Sequence, residues 1–112
     1  SSMPIVKATS KMSNALILMT KKSFGCLGVV DSKGNIIGII TDGDLRRKLN
    51  SSFFEKKASE IMTKKPTITS SDMLVGEALN LMNKKQITSL FICKNKKPIG
   101  IIHIHDLLRL TS

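Results

Sequence analysis

The sequence has no tryptophan and no tyrosine, and phenylalanine occurs only four times in 112 residues. Base-stacking platforms are therefore scarce, which argues against a binder of single-stranded nucleic acid. Acidic residues are also few, eight against 18 lysines and arginines, for a formal net charge of +10. Fifteen of the 18 are lysines, many in scattered pairs (Lys21-Lys22, Lys56-Lys57, Lys64-Lys65, Lys84-Lys85, Lys96-Lys97) and not along one basic helix. Such pairs read as solvated faces and turn tips, and together they attract anionic small molecules. No apolar run reaches about 18 residues, so no membrane span is expected. The opening "SSMPIVKATSKM" lacks the basic-then-apolar order of a secretory signal. Cys26 and Cys93 are the only cysteines and form no C-x-x-C, which excludes zinc-finger and thioredoxin readings. Both lie in apolar runs and read as buried free thiols, suited to a reducing cytoplasm. There is no persuasive Ser-His-Asp or Cys-His arrangement and no G-x-x-x-x-G-K loop, so neither a hydrolytic triad nor nucleotide-loop chemistry is supported.

What the chain does have is a repeat. "GIITDGDLRR" (Gly38–Arg47) returns 62 residues later as "GIIHIHDLLR" (Gly100–Arg109). Met12, Ala15, Leu16 and Met19 share one helical face, and Val75, Ala78, Leu79 and Met82 repeat that stripe. "CLGVVD" matches "SLFICK", each of strand length, and the turns "SKGN" and "NKKP" follow, the second one residue shorter. "PIVKAT" and "PTITSS" are extended entries to the first helix of each half, with Thr9 and Ser71 as expected N-caps. Each half thus reads strand, helix, strand, turn, strand, helix.

Apolar strands between amphipathic helices imply an α/β (α+β) arrangement, a sheet covered by helices. One half is too small to bury its own sheet, so two β-α-β-β-α repeats are expected to pack about a pseudo-twofold axis. The first repeat covers residues 1–50. A linker and the second repeat cover 51–112, with a polar, turn-like stretch around Phe53 and Phe54 and a short helix at "ASEIM". The first half has no counterpart of that helix, so the chain is expected to begin partway into its first repeat, as a piece of a longer protein.

The repeated junction carries the candidate chemistry. Thr41 and Asp44 fit the [ST]-x-x-[DE] capping pattern, which by itself accounts for both residues. The same geometry can hold an anion at the helix start, and a carboxylate can accept two neighbouring sugar hydroxyls. Asp106 returns in the second copy while the threonine becomes His103 and Gly43 becomes His105. Two histidines are too few for a zinc site without further ligands, so no metal is expected. A reading of Asp42 and Asp44 as metal ligands for phosphoryl transfer has no third acid or lysine to support it. Either imidazole can donate to a phosphate or carboxylate, better when protonated. Arg46, Arg47 and Arg109 are the only arginines, and all follow the repeated aspartates. They read either as exposed helix surface or as forks for an anion.

The doubled unit closed by G-h-h-T-x-x-D resembles a pair of cystathionine-β-synthase (CBS) domains, over essentially the whole chain. "FGCLGVVDSKGNIIGIITDGDLRR", "EIMTKKPTI", "EALNLMNKKQITSLFI" and "GIIHIHDLLR" are similar to the C-terminal CBS pair of bacterial arabinose-5-phosphate isomerases. The resemblance implies a regulatory module of that isomerase in the Kdo and lipopolysaccharide pathway, with no catalysis of its own because the sugar-isomerase domain is absent. It implies an N-terminal isomerase domain in the parent chain, homodimers through the CBS pairs, a cytoplasmic location and no required cofactor. It places phosphate and ribose roles on Thr41 and Asp44. The ligand-binding set it suggests also includes Arg46, Arg47, Thr67, Ser89, His103, His105, Asp106 and Arg109. CMP-Kdo, which offers a ribose, a phosphate and a carboxylate, is the implied ligand. An adenine nucleotide (AMP or ATP) is the alternative, and a ligand-free dimerisation module is another.

Overall fold

The computed structural model describes residues 3–22 and 25–111. Packing divides the chain into two units that meet between Pro66 and Thr67. The first unit runs β1 (Ile5–Lys7), α1 (Met12–Lys22), β2 (Cys26–Val30), β3 (Ile36–Thr41) and α2 (Asp42–Lys48). A 3₁₀ turn (Phe53–Glu55), α3 (Ala58–Ile61) and β4 (Thr63–Lys64) complete it. The second runs β5 (Ile68–Thr69), α4 (Val75–Lys85), β6 (Ser89–Lys94), β7 (Lys97–His103) and α5 (Ile104–Thr111). The expected β-α-β-β-α order is present in both.

Each unit forms its own sheet, β1-β2-β3-β4 and β5-β6-β7, with the first pair parallel and the hairpin antiparallel. The repeat reaches into detail: both hairpins carry a register shift at equivalent places, Val29/Val30 and Ile92/Cys93. Their turns differ because of the one-residue deletion. In the first, Gly34 takes φ +85° and the Asp31 Oδ1 accepts from the N–H groups of Lys33 (2.9 Å) and Asn35 (3.0 Å). In the second, Asn95 and Lys96 both have positive φ, 51° and 67°, as a two-residue type I′ turn requires. Lysine is a poor residue for that conformation. Lys96→Gly is expected to raise the stability of the second unit by about 0.5–1 kcal/mol, read as a higher urea midpoint.

The linker belongs to the first unit by packing, although the sequence repeat divides at residue 50. Its first-unit core comprises Met12, Ala15, Met19, Leu27, Val29, Ile40, Phe53, Ala58 and Ile61. The stretch around Phe53, expected to be polar and turn-like, therefore places a fully buried aromatic ring in that core, with Phe54 edge-on to it at 5.3 Å and partly exposed. Gly38 allows a close approach here: a Cβ added to it would lie 2.3 Å from the Met62 Sδ. In the second unit a buried cluster is built on Ala78, Met82, Leu90 and Leu107.

Neither expected helix cap is found. α1 begins at Met12, past Thr9, because residues 7–10 form a turn (Ser10 N–H to the Lys7 carbonyl, 3.0 Å), Lys11 then pairs as an isolated β-bridge with Lys57, and the Met12 N–H donates to the Lys56 carbonyl (2.8 Å). Residues 70–73 form a turn before α4, so Ser71 precedes the helix. The α4 start is instead closed by the Glu77 carboxylate, which accepts the Leu74 N–H (3.0 Å). Both cysteines are buried, and burial pushes the Cys93 thiol up, away from the reactive thiolate.

Candidate ligand site at the repeated helix starts

Each unit ends a strand by feeding it directly into a helix, so the last strand residue is also the helix cap. In the first unit Thr41 is extended (φ −118°, ψ 171°) and its Oγ1 accepts the Asp44 N–H at 3.3 Å. Asp44 reaches back: its Oδ2 accepts from the Thr41 N–H (3.0 Å) and hydroxyl (3.3 Å). Its Oδ1 accepts from Arg47 Nη2 (2.7 Å) and from the Thr63 hydroxyl (2.8 Å). Asp44 is 1% exposed, and four donors meet its two oxygens. Arg47 is largely exposed and lies back over the helix start, where a Cβ on Gly43 would come within 3.1 Å of its Nη1. Arg46 is exposed on α2.

The second unit uses the same frame with other parts. Asp106 Oδ2 accepts the His103 N–H at 3.3 Å, and Oδ1 pairs with Arg109. The His103 N–H and then the Arg109 guanidinium hold this carboxyl below the usual range. Where Thr41 offers a hydroxyl, His103 offers an imidazole, whose Nδ1 accepts the His105 N–H at 3.2 Å. His105 stands at the position of Gly43 and stacks on His103, ring centres 4.7 Å apart and planes 21° apart. The Asp106 side chain is about half exposed, against 1% for Asp44. Ser89 lies opposite His103 in the β6–β7 ladder. Thr67 precedes β5, which runs parallel to β6, so it enters from the same end of the sheet.

Of the residues singled out in the sequence, Ser89, His103, His105, Asp106 and Arg109 therefore converge where β6 begins and β7 ends, with Thr67 at that same sheet end. Thr41, Asp44 and Arg47 converge in the first unit, and Arg46 does not join them. Thr63 was missed. No motif links it to Asp44; only the β3–β4 pairing, Ile39 opposite Thr63, carries it there. Among the described residues no group of three or more His, Cys, Asp or Glu is placed to hold a metal ion. No helix among them is long and apolar enough to cross a membrane.

Two copies of one β-α-β-β-α unit, each ending in a capped strand–helix junction, define a tandem-repeat α+β module. The sequence model of the CBS domain matches residues 1–51 and 58–112, and the chain belongs to the CBS-domain family. It is 50% identical over 105 residues to protein RP505 of Rickettsia prowazekii, covering 94% of this chain and 33% of that one. It is 37% identical over 108 residues to the arabinose 5-phosphate isomerase KdsD of Escherichia coli K12, covering 95% and 33%. Among solved structures it is similar to the CBS domain pair of MJ0100 in complex with 5′-methylthioadenosine and S-adenosyl-L-methionine. That likeness has a TM-score of 0.82 at 25% identity and covers 96% of this chain and 86% of that one. The chain thus spans about a third of the length of the curated relatives it matches.

Proposed function

We propose that the chain is the ligand-sensing regulatory module of an arabinose-5-phosphate isomerase, and that it binds an anionic nucleotide-type ligand, with CMP-Kdo the leading candidate. The observation that supports this most is the open junction of the second unit. Asp106 is half exposed and, among the described residues, has fewer donors on its oxygens than Asp44, so it has acceptor capacity for sugar hydroxyls. Arg109 and the two imidazoles beside it supply donors for a phosphate or carboxylate. Kinship with KdsD supports the pathway, and the nucleoside ligands of MJ0100 support the ligand class. In this reading catalysis resides in an isomerase domain of the parent chain, which is cytoplasmic and dimerises through its CBS pairs.

Asp44 plays a lesser part in recognition. Its oxygens already take four donors, so a ligand diol gains access only if Arg47 and Thr63 give way. That saturation is also the observation favouring the second reading, a ligand-free dimerisation module.

Thermal unfolding with CMP-Kdo, AMP or inorganic phosphate separates the readings. CMP-Kdo at about 100 times its Kd is expected to add about 2.7 kcal/mol of stability, and Asp106→Ala to remove that gain. A gain with AMP alone replaces the ligand with an adenine nucleotide. No gain with any of the three leaves the dimerisation module, checked by sedimentation.

A further inference from the structure

The α5 cap differs in kind from the α2 cap. At α2 the acceptor is the Thr41 hydroxyl, which does not titrate between pH 5 and 8. At α5 the acceptor is the Nδ1 of His103, held 3.2 Å from the His105 N–H. A neutral imidazole has one nitrogen with a free lone pair, so this bond places the ring proton on Nε2. Adding a proton to Nδ1 turns the acceptor into a donor facing a donor, and the bond is lost. The stacked ring of His105 sits 4.7 Å away, and both rings lie at the positive end of the helix.

Among the described residues of the second unit, the charged groups tied to His103 lie on its own helix. On its own helix, Asp106 accepts the His103 backbone N–H and pairs with Arg109. Asp106 is held below the usual carboxylate range by the His103 N–H and the Arg109 guanidinium, so it stays a carboxylate in mild acid. From β6, the residue opposite is Ser89, which carries no charge. α4 packs on α5 and carries Glu77, Lys84 and Lys85, none of which is ion-paired to either histidine among the described residues.

We propose that His103 makes the start of α5 a proton-sensitive cap, closed by its Nδ1 when the imidazole is neutral and opened when that nitrogen takes a proton, while the α2 start stays closed. Asp106 and Arg109 ride on the first turns of α5, so mild acid alters how the second unit presents them. The device requires no ligand and stands apart from the proposed function. Nuclear magnetic resonance of the labelled chain between pH 8 and 5 tests it. The Cα shifts of Ile104 to Leu107 are expected to move toward coil with the midpoint of the His103 ring signals. The ratio of capped to frayed start should fall about five-fold, the size of an ordinary N-cap effect. The Asp44 amide should not move. His103→Thr restores the hydroxyl cap of the first unit and should abolish the pH response. His105→Ala keeps the backbone donor and should retain it. Unchanged Cα shifts while His103 titrates overturn the inference, as does an equal response in His103→Thr.

Discussion

Phe53→Ala lowers the stability of the first unit by about 3–5 kcal/mol, the range for emptying a buried aromatic site. Phe53 is 1% exposed and belongs to the cluster with Met12, Met19, Leu27 and Ile61. Its ring fixes the linker to α1, since the 3₁₀ turn that carries it packs on that helix. A loss of this size is a large share of the 5–15 kcal/mol typical of a whole domain. It should drop the Tm by more than about 10 °C. Phe54→Ala is the matched control. That ring is 45% exposed, so its removal should cost about 1 kcal/mol or less. Equal losses from the two substitutions would sink the assignment of the linker to the first-unit core.

The contrast between the phenylalanines shows where sequence pattern runs out. The helical stripes were legible: Met12, Ala15, Met19, Ala78 and Met82 are all buried, as their spacing requires. The strands were legible from apolar runs between turn residues, and the shortened second turn was visible as a change of offset. Those features are local, and local spacing carries them. Phe53 sits in a polar stretch with no period, so only tertiary packing selects which of two adjacent rings turns inward. The same limit applies to the caps. Thr9 and Ser71 have suitable chemistry for an N-cap, yet backbone pairing to Lys56 and Lys57 and the turn at 70–73 push each helix start further along. At the candidate site, the Asp44–Thr41 and Asp106–His103 pairs follow from the repeat. The long-range bond from Thr63 does not, because it depends on how β4 joins the sheet.

That bond also sets up the sharpest difference between the copies. Asp44→Asn is expected to destabilise the first unit by about 2–4 kcal/mol, whereas Asp106→Asn should have a clearly smaller effect. The amide is nearly the same size as the carboxylate, so packing is preserved and the change isolates charge and donor pattern. At Asp44 every oxygen lone pair has a donor, and the group is shielded from water. An amide there must turn its NH₂ either toward the Thr41 N–H or toward Arg47 and Thr63, and each choice sets donor against donor. At Asp106 the exposed side chain can exchange lost partners for water, and its pair with Arg109 is a surface contact that screening weakens. Urea unfolding of both variants, with amide exchange of Ile61 to Lys64 as a second readout, checks this. Faster exchange of those amides in Asp44→Asn follows if the carboxylate holds β4 through Thr63. Thr63→Val should reproduce that local effect at a cost of about 1 kcal/mol, since it removes one donor and leaves the cap intact. Should Asp106→Asn prove the more damaging change, the two copies must have exchanged roles: Asp106 would be the structural carboxylate, and Asp44 would be the one free to meet a ligand.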